Sequence, residues 1–179
     1  MSDNKTRLFA LVTAILAAAA FRLLPHPPNF SPIAAMALFG GAYLPRKALG
    51  FVAPFGALLI SDALLGGAYP GISFVYLGVA LTVLLGWAIS SHRSALPVAG
   101  AAIASSILFF ALSNFGTWLM MDMYPKTLAG LGACYVAAMP FFQNTVAGDL
   151  FFSAILFGGF ALLERAMPAL REGPQPSLA

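Results

Sequence analysis

Long apolar runs, broken only by short polar segments, decide what this chain can become. Hydrophobic residues make up 60% of it and charged residues 8%, against about 25% charged in a soluble domain. A soluble core has no room for so many apolar side chains, so the expected class is an all-α integral membrane protein. At 179 residues there is space for about five to seven spans of about 20 residues.

Six spans are predicted. Span one covers Leu8–Leu24 and stops at Pro25, Pro27 and Pro28, because proline lacks the N–H that a helix needs. Span two, Phe30–Leu44, is short, and Gly40-Gly41 lowers its helix propensity. Spans three and four cover Ala48–Leu65 and Gly71–Ser91, with Gly66-Gly67 after span three. Span five covers Leu96–Ser113 and span six Thr145–Met167. Between them, Leu128–Phe142 is apolar but only about fifteen residues, below the usual spanning length. The expectation is a long outer loop, 114–143, carrying a short helix packed on the bundle. A single membrane domain, residues 1–170, would then be followed by a disordered, Pro-rich cytoplasmic tail, 171–179. The rival reading of the N-terminus is a signal peptide, since Lys5 and Arg7 precede an apolar run ending in Ala17–Ala20. That run is long enough to be a span.

Charge gives the orientation. Lys5, Arg7, Arg46, Lys47, Arg93, Arg165 and Arg171 all fall at one set of span ends, as the positive-inside bias requires. A seventh span would put Arg165 and Arg171 on the wrong side. The opposite face collects Arg22, His26, Asn29, Asp62, Tyr69, Asn114, Trp118, Asp122, Lys126, Asn144 and Asp149. One plain basic face and one polar, aromatic face suggest recognition at the latter. The net charge of +3 is small and its basic residues sit beside spans, so no nucleic-acid stripe is present.

Other chemistry is limited. The single cysteine, Cys134, excludes an intrachain disulfide and a multi-cysteine metal site. It reads as a small buried hydrophobe. His26 and His92 fall on opposite faces, so no metal site or Ser-His dyad uses both. There is no Gly-x-x-x-x-Gly-Lys-Ser/Thr loop to hold ATP. Leu-Phe-Gly-Gly occurs at 38–41 and 156–159, but the flanks do not extend the match into an inverted repeat.

Arg22, Asp62 and Asp149 lie near outer span ends. A charge at mid-bilayer costs about 2.5–3.5 kcal/mol on the insertion scale, so such residues pair or face water. An ion pair and a ligand pocket are competing readings, and for Asp149 a capping role at its own helix N-terminus competes too. Four prolines stiffen the loop 25–32, which holds His26 and Asn29. Asn114 offers a donor and an acceptor. Trp118 and Tyr76 offer stacking faces, against the alternative of an aromatic belt. Ala10, Ala14 and Ala18, four apart, permit close helix approach, either inside the chain or towards a partner.

The segments Arg22-Leu-Leu-Pro-His-Pro-Pro-Asn29-Phe-Ser-Pro32, Ala37-Leu-Phe-Gly-Gly41, Ser61-Asp62, Ser113-Asn-Phe-Gly-Thr-Trp118, Tyr124-Pro125, Pro140-Phe-Phe142 and Gly148-Asp149 together resemble a family of small bacterial membrane proteins of uncharacterised activity, described as transport proteins. That family in turn is similar to the S components of energy-coupling factor (ECF) vitamin transporters. The resemblance implies six helices with both termini cytoplasmic in the bacterial inner membrane. It implies a vitamin-type micronutrient held near the outer face by His26–Phe30, Asp62–Tyr76 and Asn114–Tyr124. It also implies that Ala10, Ala14 and Ala18 dock a coupling subunit driven by two ATPases.

The expected function is therefore a substrate-binding membrane subunit for micronutrient uptake, without enzymatic activity, cofactor or metal. Asn29, Asn114, Asn144, Asp62 and Asp149 would hydrogen-bond the solute. Trp118 and Tyr76 would stack on it, and Arg22 and His26 would meet an anionic group. The alternatives are a stand-alone ion-coupled carrier using Asp62 and Asp149, or a structural protein of the envelope. An intramembrane aspartyl protease needs carboxylates deeper than these two are expected to lie.

Overall fold

The computed structural model describes residues 2–45 and 47–171, and among these residues the ordered structure is helical. The helices are α1 (Ser2–Phe21), α2 (Ile33–Tyr43), α3 (Lys47–Leu65), α4 (Ile72–Ala88), α5 (Ala95–Met120) and α6 (Leu128–Ser153). A π-helical stretch, Ala154–Gly158, runs straight into α7 (Gly159–Ala166), and a 3₁₀ turn, Pro168–Leu170, is the last described element. Four helical segments, Asn4–Phe21, Ala48–Leu65, Ala95–Met120 and Leu128–Ala166, are long and apolar enough to cross a membrane. They fit a multi-pass membrane protein, and large apolar side chains such as Phe9, Leu96 and Val136 point outward.

The short α2 is the centre of the bundle. Every residue from Ala34 to Tyr43 is buried, and the helix packs against α4, α3, α6 and α1. Its two glycines serve contact rather than weaken the helix. A Cβ on Gly41 would sit 2.2 Å from the Val83 carbonyl oxygen, and one on Gly86 of α4 would sit 2.3 Å from that of Leu38. Backbone therefore meets backbone where α2 crosses α4, a contact that small residues allow. Phe39, Tyr43, Phe157 and Phe160 interlock around the lower part of α2.

The expected outer loop is replaced by a helical hairpin. α5 continues through Asn114 to Met120, and α6 already starts at Leu128, leaving 121–127 as the connection. Ser113, Asn114 and Thr117 do not break α5, because each donates its side chain to the carbonyl four residues back (Ser113 Oγ to Phe109 at 2.6 Å, Asn114 Nδ2 to Phe110 at 2.8 Å, Thr117 Oγ1 to Ser113 at 3.0 Å). The 128–142 stretch is the first part of the last helix, with Pro140 inside it. The tip is well held. Thr127 caps α6 by accepting the Gly130 N–H at 3.1 Å. Lys126 donates to the carbonyls of Trp118 and Met121 at the end of α5.

Among the described residues, Arg7, Arg93, Arg165 and Arg171 gather at one end. Arg7 of α1 donates to Glu164 Oε1 and to the Leu170 carbonyl, and its guanidinium lies over the rings of Tyr43 and Phe160. Arg93 lies 4.4 Å from the Tyr43 ring centre. Arg171, expected to begin a loose tail, donates to the carbonyls of Glu164 (2.9 Å) and Arg165 (3.3 Å). The rest of that tail, and Arg46, lie outside the described residues.

Candidate functional site

At the opposite end, three charged side chains, from the turn after α1, from α3 and from α6, approach one cavity. Arg22 follows α1, where the chain turns (Arg22 N–H to the Ala19 carbonyl at 3.1 Å) before the prolines. Its Nη2 lies 2.8 Å from Asp62 Oδ1 of α3, and both side chains are largely buried. Arg22 also donates to Ser61 Oγ. Tyr76 OH of α4 donates to Asp62 Oδ2 at 3.0 Å. Asp62 is thus supplied from both sides, and the Arg22–Asp62 pair is a self-contained unit.

Asp149 is different. It lies deep in α6, more than five turns from the helix start at Leu128, so the capping role is ruled out. The residue is 3% exposed, and Ser106 Oγ of α5 donates to its Oδ2 at 2.6 Å. Glycine at 148 explains how the first loop reaches this point. A Cβ there would meet Phe30 Cα and Ser31 N at 3.1 Å. The rings of Phe21, Phe30, Phe151 and Phe152 pack the same loop onto α6. Asn144 Nδ2 pins it by donating to the Pro28 carbonyl at 3.1 Å.

Two adjoining chambers result. The first, about 230 Å³, is lined by Arg22, His26, Asn29, Asp62, Tyr69, Thr145 and Asp149, with apolar walls from Ile33, Leu65, Val75 and Phe109. The second, also about 230 Å³, shares Asn29, Tyr69, Val75 and Phe109 and adds Ser113, Asn114 and Thr117. Asn29 projects between them from a left-handed backbone, φ 63°, a conformation that Asn tolerates better than most residues. His26 Nδ1 lies 2.7 Å from the Leu24 carbonyl oxygen, so Nδ1 carries the hydrogen and Nε2 is left for other partners. Tyr69 is 46% exposed, and its phenol pKa is raised above 10.0, first by partial burial and then by the negative charge of Asp62, with Arg22 opposing. It therefore stays a neutral hydrogen-bonding group.

Of the nine expected binding residues, Arg22, His26, Asn29, Asp62 and Asp149 line the first chamber and Asn114 the second. The other three do other work. Tyr76 stands behind Asp62, Asn144 holds the loop, and Trp118 donates its indole N–H to the Pro125 carbonyl at 2.9 Å at the hairpin tip. Tyr69, expected on this face, lines both chambers, whereas Thr145 and Ser106 were missed as site residues. Only the helix register could have found Thr145, four residues before Asp149, and nothing local marks Ser106. Ala10, Ala14 and Ala18 pack partly buried against the main core, while Phe9 and Leu16 face outward on α1. Cys134 is buried, its Sγ 3.5 Å from the Asn114 carbonyl oxygen. Among the described residues no group of three or more His, Cys, Asp or Glu could hold a metal ion.

The chain matches a protein-family model over residues 2–170. It belongs to DUF6580, a family of unknown function. No curated protein and no solved structure matches it. Membership in DUF6580 therefore assigns no chemistry, and the geometry of the chambers must carry the functional argument.

Proposed function

We propose that the chain is a six-span, S-component-like bundle in the bacterial inner membrane, with both termini cytoplasmic, and that it binds a small micronutrient for uptake. The observation that carries this reading is the double chamber at the end opposite the basic residues. It joins hydrogen-bonding groups from α3, α5 and α6, from Arg22 after α1, from the first loop and from Tyr69 to apolar walls. Concave sites with apolar walls and a few convergent polar groups are the usual form of small-molecule pockets. A stiff loop loses little entropy when it closes on a solute. Transport would follow either from reorientation or from association with a coupling subunit and ATPases.

The test is chemical identification. Protein purified in mild detergent should release a small molecule on extraction, identified by mass spectrometry. Asn29→Ala and Asn114→Ala should lose it while keeping wild-type helicity by circular dichroism. Retention unchanged in both variants, or no associated molecule in the wild type, would reject the pocket as a binding site.

A further inference from the structure

We propose that this pocket recognises a protonated nitrogen, such as the ammonium of an organic amine, against Asp149. The inference rests on the uptake reading above and adds the class of solute.

Charge accounting leads there. Arg22 and Asp62 cancel each other at 2.8 Å, so neither offers the solute a net charge. The anion site expected at Arg22 is therefore occupied by a residue of the chain itself. Among the described residues Asp149 has no cationic partner. Its one hydrogen-bond donor is the neutral hydroxyl of Ser106, and His26, Thr145, Asn29 and Tyr69 are the other polar groups facing the cavity apart from Ser31. Burying an isolated carboxylate is costly unless an opposite charge meets it. A cation entering the chamber supplies that charge, and the 2.6 Å bond from Ser106 keeps the second oxygen aimed.

The rest of the wall describes the rest of the solute. Ile33, Val75 and Phe109 give it an apolar body. The first turn of α2 begins at the cavity with Ile33 and Ala34, and first-turn N–H groups lack helix partners, which suits an acceptor oxygen on the same molecule. A cavity of about 230 Å³ lined this way fits an organic cation better than a bare ion.

A set of probes alike in size tests this. Thermal unfolding of the purified protein would be measured with benzylamine, benzyl alcohol and benzoate, and with sodium chloride against potassium chloride. Benzylamine alone should raise the midpoint, and Asp149→Asn should weaken that effect at least about tenfold in apparent affinity. Asn keeps the size and the Ser106 contact, and its probe-free midpoint reports whether the variant is folded. Equal stabilisation of Asp149→Asn by benzylamine, a larger effect of benzoate, a sodium-specific shift, or no response to any probe would overturn the proposal. A neutral or anionic molecule identified by mass spectrometry would refute the cation while leaving the uptake reading intact.

Discussion

Replacing Gly86 with alanine tests the heart of the fold. The new Cβ would lie 2.3 Å from the Leu38 carbonyl oxygen and 3.0 Å from Gly41 Cα. Ordinary contact begins near 3.4 Å, so α2 and α4 must separate by about 3.4 − 2.3 = 1.1 Å. Both obstacles are backbone and cannot rotate away. The separation opens a seam through Leu38, Phe39, Val79 and Val83, each at most 2% exposed. A gap of 0.5–1 Å forfeits about a quarter to a half of each contact's attraction, and overpacking costs about 1–3 kcal/mol. The top of that range applies here. Alanine's better helix propensity returns up to about 1 kcal/mol, leaving a net loss of about 2 kcal/mol. Gly100→Ala is the control, because a Cβ there meets nothing within 4 Å, and it should gain up to about 1 kcal/mol. Reversible unfolding in mixed micelles on titration with SDS, followed by tryptophan fluorescence, reads both. Gly86→Ala within about 0.5 kcal/mol of wild type, less than an ordinary overpacking cost, would refute the close crossing and with it the central position of α2.

Three further outcomes are expected. Arg22→Met or Asp62→Leu alone should destabilise by about 3–5 kcal/mol, since each leaves a largely buried charge without its partner, and the double variant should recover most of that loss in the same titration. Additive losses would mean that the two do not act as a pair. Ser153→Ala should leave stability unchanged or raised, because the Ser153 hydroxyl is buried with no hydrogen-bond partner among the described residues and removing such a group relieves its desolvation; a loss above about 1 kcal/mol would exceed the cost of removing an ordinary hydrogen bond and reveal a role for it. The Tyr69 phenol has a folded pKa raised above 10.0, so the stability it lends is fully present below the unfolded value near 10 and is lost as pH rises through the folded value. Unfolding of wild type and Tyr69→Phe should therefore diverge only above about pH 10, and the phenolate absorbance difference between them should titrate above that value.

The two-ended layout was legible because it rests on charge and apolar length, which need no tertiary information. The membrane-type bundle, the placement of Arg7 and Arg93 at one end, and the approach of Arg22, Asp62 and Asp149 at the other all follow from where ionisable groups interrupt apolar runs. What failed was the segment 114–143. Asn, Gly, Thr and Pro there resemble loop formers when only the backbone is considered. In a dry bundle Ser113, Asn114 and Thr117 satisfy carbonyls of their own helix instead, and Pro140 is carried inside a helix of 26 residues. Gly40-Gly41 misled for a related reason. Its propensity cost is small beside the packing that the pair allows against Val83 and Gly86. The role of each polar residue was hidden still deeper. That Asp62 is neutralised while Asp149 is not depends on which helix faces which, and no local pattern encodes that.

The cavity itself follows from unequal helix lengths. At 1.5 Å per residue, the 11 residues of α2 reach only about 17 Å, well short of a bilayer core of about 30 Å. α5, with 26 residues, reaches about 39 Å, and the continuous helix Leu128–Ala166, with 39 residues, about 58 Å. A central helix that stops early leaves the polar end of the bundle without a helical core. The first loop folds into part of that space, held by Gly148 and Asn144, and the unfilled remainder is the double chamber. Lengthening α2 by a turn at its start would then have to displace the loop from Gly148 and fill the space beside Asp149. Any apolar plug placed there would bury that carboxyl against hydrocarbon with no cation to meet it. The same shortfall that looks like a weak span is therefore what leaves a cavity beside Asp149, a buried acidic group with no cationic partner among the described residues.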